Sequence, residues 1–179
     1  MQVTFHHQNK NKIIIAKKLI IAYLFLNREE RVMGDTLSKQ AVESVAEFHN
    51  KGYNCAESIF LTFRKYAVPE MSEDIVRLAT PFGAGLGRAG CICGALSGAT
   101  MILGASRGRM NYGMSKDPVY ELSHEFHDRF KAKFGAICCR SLMKHKFGSE
   151  DQRMKCHKII TEGAGLLMDF LVDKGIVKE

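Results

Sequence analysis

An all-α single domain is predicted by three properties of the chain. Apolar residues recur at three- and four-residue spacing, no segment shows convincing period-two alternation, and cap residues stand where the periodic runs begin. A bundle of about six to seven helices around a central glycine-rich loop accounts for all three, and the short connections favour an antiparallel arrangement.

The first helix is predicted over Thr36 to Asn50, with Leu37, Ala41, Val45 and Phe48 forming its apolar stripe and Asp35 its cap. Asn54, a strong N-cap type, opens a second helix from Cys55 to about Tyr66, carrying Ile59, Phe60 and Phe63. Pro69 ends that region. Ser72-Glu73-Asp74 reads as the cap and acidic first turn of a short helix reaching Ala79. A fourth helix runs from Cys93 to about Ser106. Asp117-Pro118 opens a long one through Leu122, Phe126 and Phe130 to about Phe134, because proline is suited to a first helical turn. A short helix follows Cys139, and a last one runs from Glu150 to near Gly175.

The fourth helix carries Gly94 and Gly98 four residues apart, and Ala95 and Ala99 likewise, giving a smooth stripe. Each glycine costs a helix roughly 1 kcal/mol relative to alanine, so close approach of a second, cysteine-bearing helix is expected to offset it. A tight helix crossing with no further role is the plainer explanation.

Four cysteines stand near a helix start, a cationic side chain, or both. Cys93 opens Cys93-Gly94-Ala95-Leu96-Ser97-Gly98 directly after the run Gly83 to Gly90, Cys55 follows Asn54, Cys139 lies beside Arg140, and Cys156 is flanked by lysines about a turn inside the last helix. Unpaired N–H groups, the positive end of a helix dipole and nearby cations all favour the thiolate, the nucleophilic and metal-binding form of sulfur. Cys93 is therefore expected in the first helical turn with a lowered pKa. Free cysteines are equally often small, buried core residues.

These segments resemble the redox-active protein family written C_GCAxxG_C_C. The resemblance runs from about Gly52 to Cys156 and is carried by Asn54-Cys55-Ala56, by Cys93 to Gly98, by Cys139-Arg140-x-Leu142 and by Cys156. It implies that Cys55, Cys93, Cys139 and Cys156 are the working set and that Cys91 and Cys138 are extras. Thiol or metal redox chemistry is implied, with no particular reaction.

A chain of 179 residues, 46% hydrophobic and 25% charged, suffices for one core, and six cysteines are too few for a disulfide scaffold. With no secretory signal they read as reduced thiols or ligands in a cytoplasmic protein. The first 32 residues differ in character from the rest. Their apolar run from Leu19 to Leu26 is too short to span a bilayer, and Asn27 to Arg31 offers no small-residue cleavage site. Arg-Glu-Glu-Arg before Met33 is the kind of peptide a purine-rich bacterial ribosome-binding site encodes, so the native start is expected at Met33, with 33–179 as the helical redox domain.

The formal charge of +7 falls to +3 once those 32 residues, with six of the lysines and arginines, are set aside. That is an ordinary surface, and no basic cluster interleaved with aromatics supports nucleic-acid binding. Gly85-Leu86-Gly87-Arg88-Ala89-Gly90 fits a dinucleotide fingerprint, but the fingerprint needs a strand before it and an acidic residue roughly 20 positions on, whereas the preceding segment reads as helical and the region past the fourth helix offers Arg107 and Arg109. The loop still suits an anion, such as the carboxylate of a thiol substrate beside Cys93. His124 and His127 are spaced to share a metal, though such residues more often face solvent. His157 beside Cys156 lacks the second cysteine of a haem attachment motif, since Arg153 holds that place.

Three readings of function follow. The first is a thiol-dependent oxidoreductase or electron carrier, with Cys93 attacking and Cys55, Cys139 or Cys156 resolving, acting on a redox partner or small thiol. The second is a module in which Cys55, Cys93, Cys139 and Cys156 hold zinc or an iron–sulfur cluster. The third is a helical interaction protein with incidental thiols. In the first two, at least two of the four sulfurs must approach one another, and assembly with further copies stays open.

Overall fold

A computed structural model describes residues 36–143 and 148–178. The proposed N-terminal artefact and the Asp35 cap lie outside the described residues. Helix α1 spans 36–50 and α2 Cys55–Ala67. Two 3-10 turns, Glu73–Leu78 and Thr80–Phe82, lead into a one-turn element α3, Gly83–Leu86. Then come α4 (Gly94–Arg107), α5 (Asp117–Phe134), α6 (Cys139–Leu142) and α7 (Glu150–Asp173). The protein is all-α, and the seven helices among the described residues meet the sequence expectation. Among the described residues the only strand-like pairing is an isolated antiparallel bridge between Ile92 and Cys138.

Local chemistry explains where the elements start. The Asn54 side chain accepts from the N–H groups of Ala56 and Glu57, while Glu57 reaches back to the Asn54 N–H at 2.8 Å, a reciprocal capping box. Ser72 caps the first 3-10 turn and Ser149 caps α7. The segment after Ser72 is thus a 3-10 helix rather than a full α-helix. Gly135, left-handed at φ 79°, closes α5.

Helices α2 and α4 form the central pair, and α4 also touches α5 and α7. The core joins Phe60 and Phe63 of α2, Ile102 and Leu103 of α4, Phe126 and Phe130 of α5, and Leu167, Phe170 and Leu171 of α7. Phe126 meets Phe170 edge-on, with ring centroids 5.3 Å apart. The small-residue stripe of α4 does what its spacing predicts. A Cβ on Gly98 would lie 2.8 Å from the Ala56 carbonyl oxygen, and one on Gly94 would lie 2.1 Å from the sulfur of Cys55.

Arg64 of α2 ties the following loop to the bundle. Its guanidinium donates to the Pro69 carbonyl at 3.3 Å, to the Met71 carbonyl at 2.5 Å and to Glu73 at 2.7 Å, and the side chain is nearly buried. Arg64→Ala is expected to cost about 2 kcal/mol, because two carbonyls and a carboxylate lose charge-assisted bonds. Denaturant unfolding checks this, and an unchanged midpoint would show the loop docks without it.

Candidate functional site

Three helix N-termini converge on one side of the α2–α4 pair, each bringing a cysteine. Cys55 is the first residue of α2, Cys93 the N-cap of α4 and Cys139 the first residue of α6. The 90–93 and 137–140 segments are clasped antiparallel: the Cys93 N–H donates to the Ile137 carbonyl at 2.8 Å, the Cys139 N–H to the Cys91 carbonyl at 2.7 Å, and the Arg140 N–H to the Gly90 carbonyl at 3.0 Å. Arg140 also donates from its guanidinium to the Ala89 carbonyl at 2.8 Å, which leaves its charge turned to the backbone rather than to Cys139.

The glycine-rich loop is wound the opposite way from an ordinary helix. Ala84, Gly85, Leu86, Gly87 and Arg88 all have positive φ, from 54° to 73°. Left-handed backbone costs roughly 1–2 kcal/mol for each non-glycine residue, so the turn persists only because its neighbours hold it. This winding points the Ala84 N–H at the Cys55 sulfur and presses Gly85 against α6, where a Cβ would stand 2.7 Å from that of Cys139. Gly85→Ala is expected to push Cys139 outward, and native-state alkylation read by peptide mass spectrometry should show Cys139 reacting at least several-fold faster. A protected Cys139 would show that the loop yields instead.

All four sequence-selected cysteines are brought together, and the described cysteines are all free thiols. Cys55, Cys93 and Cys139 are 5%, 3% and 3% exposed, whereas Cys156 is half-buried. Cys93, Cys139 and Cys156 each sense the charge of Cys55, and the Cys156 thiol donates to the Cys55 sulfur. Cys91 is exposed, and Cys138 precedes Cys139 as the N-cap of α6.

The electrostatics overturn one expectation. Cys93 was expected to be the low-pKa thiol, yet burial pushes it up to about 12, with the nearby Cys55 and Cys139 sulfurs adding to the rise. Two things defeat the helix dipole here. Burial takes the sulfur out of water and the Cys55 and Cys139 sulfurs oppose its charge, so at this N-cap position, with φ −60° and ψ 132°, the Ala95 and Leu96 N–H groups offset only part of the rise. Cys139 is likewise raised, to about 11, by burial first and then by its sulfur neighbours Cys55 and Cys138. Cys156 stands six residues past the start of α7, beyond the reach of the dipole, and its proton is held by the charge on Cys55.

Cys55 is the thiol that ionises. The Cys156 S–H, together with the backbone N–H groups of Ala84, Ala56 and Cys55 itself, outweighs burial and brings its pKa down from 9.0 to about 7. The sequence signal for it was Asn54, which places Cys55 at the start of α2. Nothing local announced the Ala84 donor or the Cys156 partner, 101 residues away.

Other candidates are disposed differently. His124 and His127 both face Asp128, at 3.6 and 2.8 Å, on an exposed face of α5. His157 turns away from Cys156 to His49 of α1, with Nδ1 atoms 3.3 Å apart. The fingerprint-like glycines form the left-handed turn, with no strand before them. Among the described residues no three His, Cys, Asp or Glu side chains are placed to hold one metal ion, and no helix is long and apolar enough to cross a membrane.

An all-α scaffold that gathers three thiols, Cys93, Cys139 and Cys156, around the single ionised sulfur of Cys55 defines a thiol-centred protein. The chain belongs to the C_GCAxxG_C_C family: the family model, described as "Putative redox-active protein (C_GCAxxG_C_C)", matches residues 53–170. That span contains all four cysteines. Neither the curated proteins nor the solved structures contain a match to the chain.

Proposed function

We propose that the protein is a dithiol redox protein in which Cys55 and Cys156 exchange two electrons with a disulfide substrate. The observation that carries this reading is the single shared proton: a Cys55 thiolate with a pKa of about 7, receiving a hydrogen bond from the Cys156 thiol. Cys55 holds the charge, while Cys156 has the better access.

The chemistry balances as follows. The Cys55 thiolate takes the Cys156 proton as the Cys156 sulfur attacks one sulfur of the substrate RSSR, whose S–S bond breaks to release RS−. Cys55 then yields its proton to RS− and attacks the Cys156 sulfur of the mixed disulfide. A Cys55–Cys156 disulfide forms and the second RS− leaves. Two cysteines are oxidised and one disulfide is reduced to RSH and RS−. In the reverse direction Cys55 is the leaving group, and a stabilised thiolate leaves faster. Cys93 and Cys139 stay protonated at neutral pH. The metal-centre reading needs sulfurs set around one point, and the described side chains offer no three so placed.

Reaction of the reduced protein with 2-hydroxyethyl disulfide, followed by peptide mapping, tests the reading. A Cys55–Cys156 linkage is expected, forming at a rate that climbs as pH rises through about 7, since the thiolate must be present. Formation of no linkage, or of linkages only among other cysteines, would overturn it. Metal retained in proportion to protein and lost on replacing any of the four would favour the metal centre instead.

A further inference from the structure

Beside the thiol cluster, α5, α6 and α7 enclose a cavity of about 450 Å³, a size ordinary for small-ligand sites. Lys133 of α5 and Lys155 and Lys158 of α7 all line it. Among the described residues the only carboxylate on its wall is Glu162, which lies 3.7 Å from Lys158. Lys133 and Lys155 pair with no carboxylate among the described residues. Ser141 adds a hydroxyl, while Phe134 and Ile159 supply apolar wall. A cavity with three ammoniums, one acid and a partly apolar lining is complementary to a small ligand with more than one negative charge and an apolar body.

The position of the cavity matters as much as its charge. Lys155 adjoins Cys156 in the chain, and Ser141 is two residues beyond Cys139, so the cavity shares α6 and α7 with two of the four thiols. The lysines that flank Cys156 therefore face a binding space, while the sulfur itself meets Cys55.

We propose that this cavity selects the substrate of the Cys55–Cys156 pair: a low-molecular-weight disulfide bearing two or more anionic groups, carboxylates or phosphates, which the three lysines hold while its sulfurs reach Cys156. The proposal rests on the dithiol reading for its chemistry, which is the exchange written above, and on the cavity alone for its selectivity.

Two redox-inert probes test the cavity separately from the thiols. S-methylglutathione presents carboxylates and S-methyl coenzyme A presents phosphates, and neither contains a disulfide. One of them should bind the reduced full-length protein, and the Lys155→Gln/Lys158→Gln double variant should bind it at least tenfold more weakly, about the loss of one charge-assisted hydrogen bond. The better-bound probe identifies the anion. Glutathione disulfide or coenzyme A disulfide should correspondingly be reduced faster than neutral 2-hydroxyethyl disulfide, and the double variant should lose this preference through KM. If 2-hydroxyethyl disulfide is reduced but neither probe binds, the cavity proposal fails and the dithiol reading survives. If a probe binds through the lysines but no disulfide reacts, the dithiol reading fails and the substrate assignment falls with it.

Discussion

Replacing Cys156 with alanine will abolish disulfide formation at Cys55 and move the ionisation of Cys55 from about 7 back toward its ordinary 9.0, because the Cys156 S–H is the largest influence holding that charge. The backbone donors at Ala84, Ala56 and Cys55 remain, so part of the depression should persist. Thiolate absorbance in the ultraviolet across a pH series reads the shift directly. Cys156→Ser retains an O–H donor and should preserve much of the low midpoint while still abolishing the disulfide, which separates the two roles. A midpoint unmoved in Cys156→Ala would mean that the helix start and the loop alone ionise Cys55.

The same protonation pattern fixes how stability depends on pH in the reduced protein. Between about 7 and 9 Cys55 is ionised when folded and protonated when unfolded, so the unfolded chain binds more protons and stability rises with pH; this contribution is lost as pH falls through about 7. Above about 9 the order reverses. Cys93 and Cys139 keep their protons in the folded protein to about 12 and 11, while their unfolded counterparts ionise, and stability falls. The thiols therefore place a maximum near pH 9, which a series of denaturation midpoints in reducing buffer will locate. Cys55→Ser should flatten the rising limb and weaken the falling one only in part, because burial, the larger cause at Cys93 and Cys139, remains.

Much of this arrangement was legible in the chain, and for identifiable reasons. Helix starts were readable wherever a cap residue and a periodic apolar stripe coincided, as at Asn54, Ser72 and Asp117-Pro118, because those signals are local. The membership of the cluster was legible at Cys55, Cys93, Cys139 and Cys156, since three of the four sit at or beside helix starts. Which of them ionises was not. A helix dipole is a property of a few adjacent residues, but desolvation is set by everything packed around the sulfur, and at Cys93 the second outweighs the first. The left-handed turn was hidden for a related reason. Glycines at 83, 85, 87 and 90 announce conformational freedom, yet Ala84, Leu86 and Arg88 share the positive φ, and only contacts with Cys55, α6 and the 137–140 segment impose it. The pairing of His49 with His157 joins α1 to α7 and leaves no local trace.

Gly98→Ala will destabilise the fold, since it sets two known magnitudes against each other. In an exposed helix, replacing glycine by alanine gains roughly 1 kcal/mol of propensity. At Gly98 the new methyl would lie 2.8 Å from the Ala56 carbonyl oxygen and 3.1 Å from the Ile59 Cβ, so α2 and α4 must separate along their most intimate contact. Overpacking of this kind costs about 1–3 kcal/mol, occasionally more, and a backbone oxygen cannot swing aside as a flexible side chain does. The clash should therefore exceed the propensity gain and lower Tm by several degrees, at roughly 2–4 °C per kcal/mol for a chain of this size. Separation of the pair also moves Cys55, the first residue of α2, away from Gly94, so the Cys55 ionisation midpoint should rise in the same variant. Gly104→Ala is the control: it lies in the same helix, is exposed, and its Cβ would meet nothing within 4 Å, so it should raise Tm slightly. Equal melting temperatures for the two variants would mean that the small-residue stripe of α4 merely permits this crossing and does not enforce the position of the thiolate.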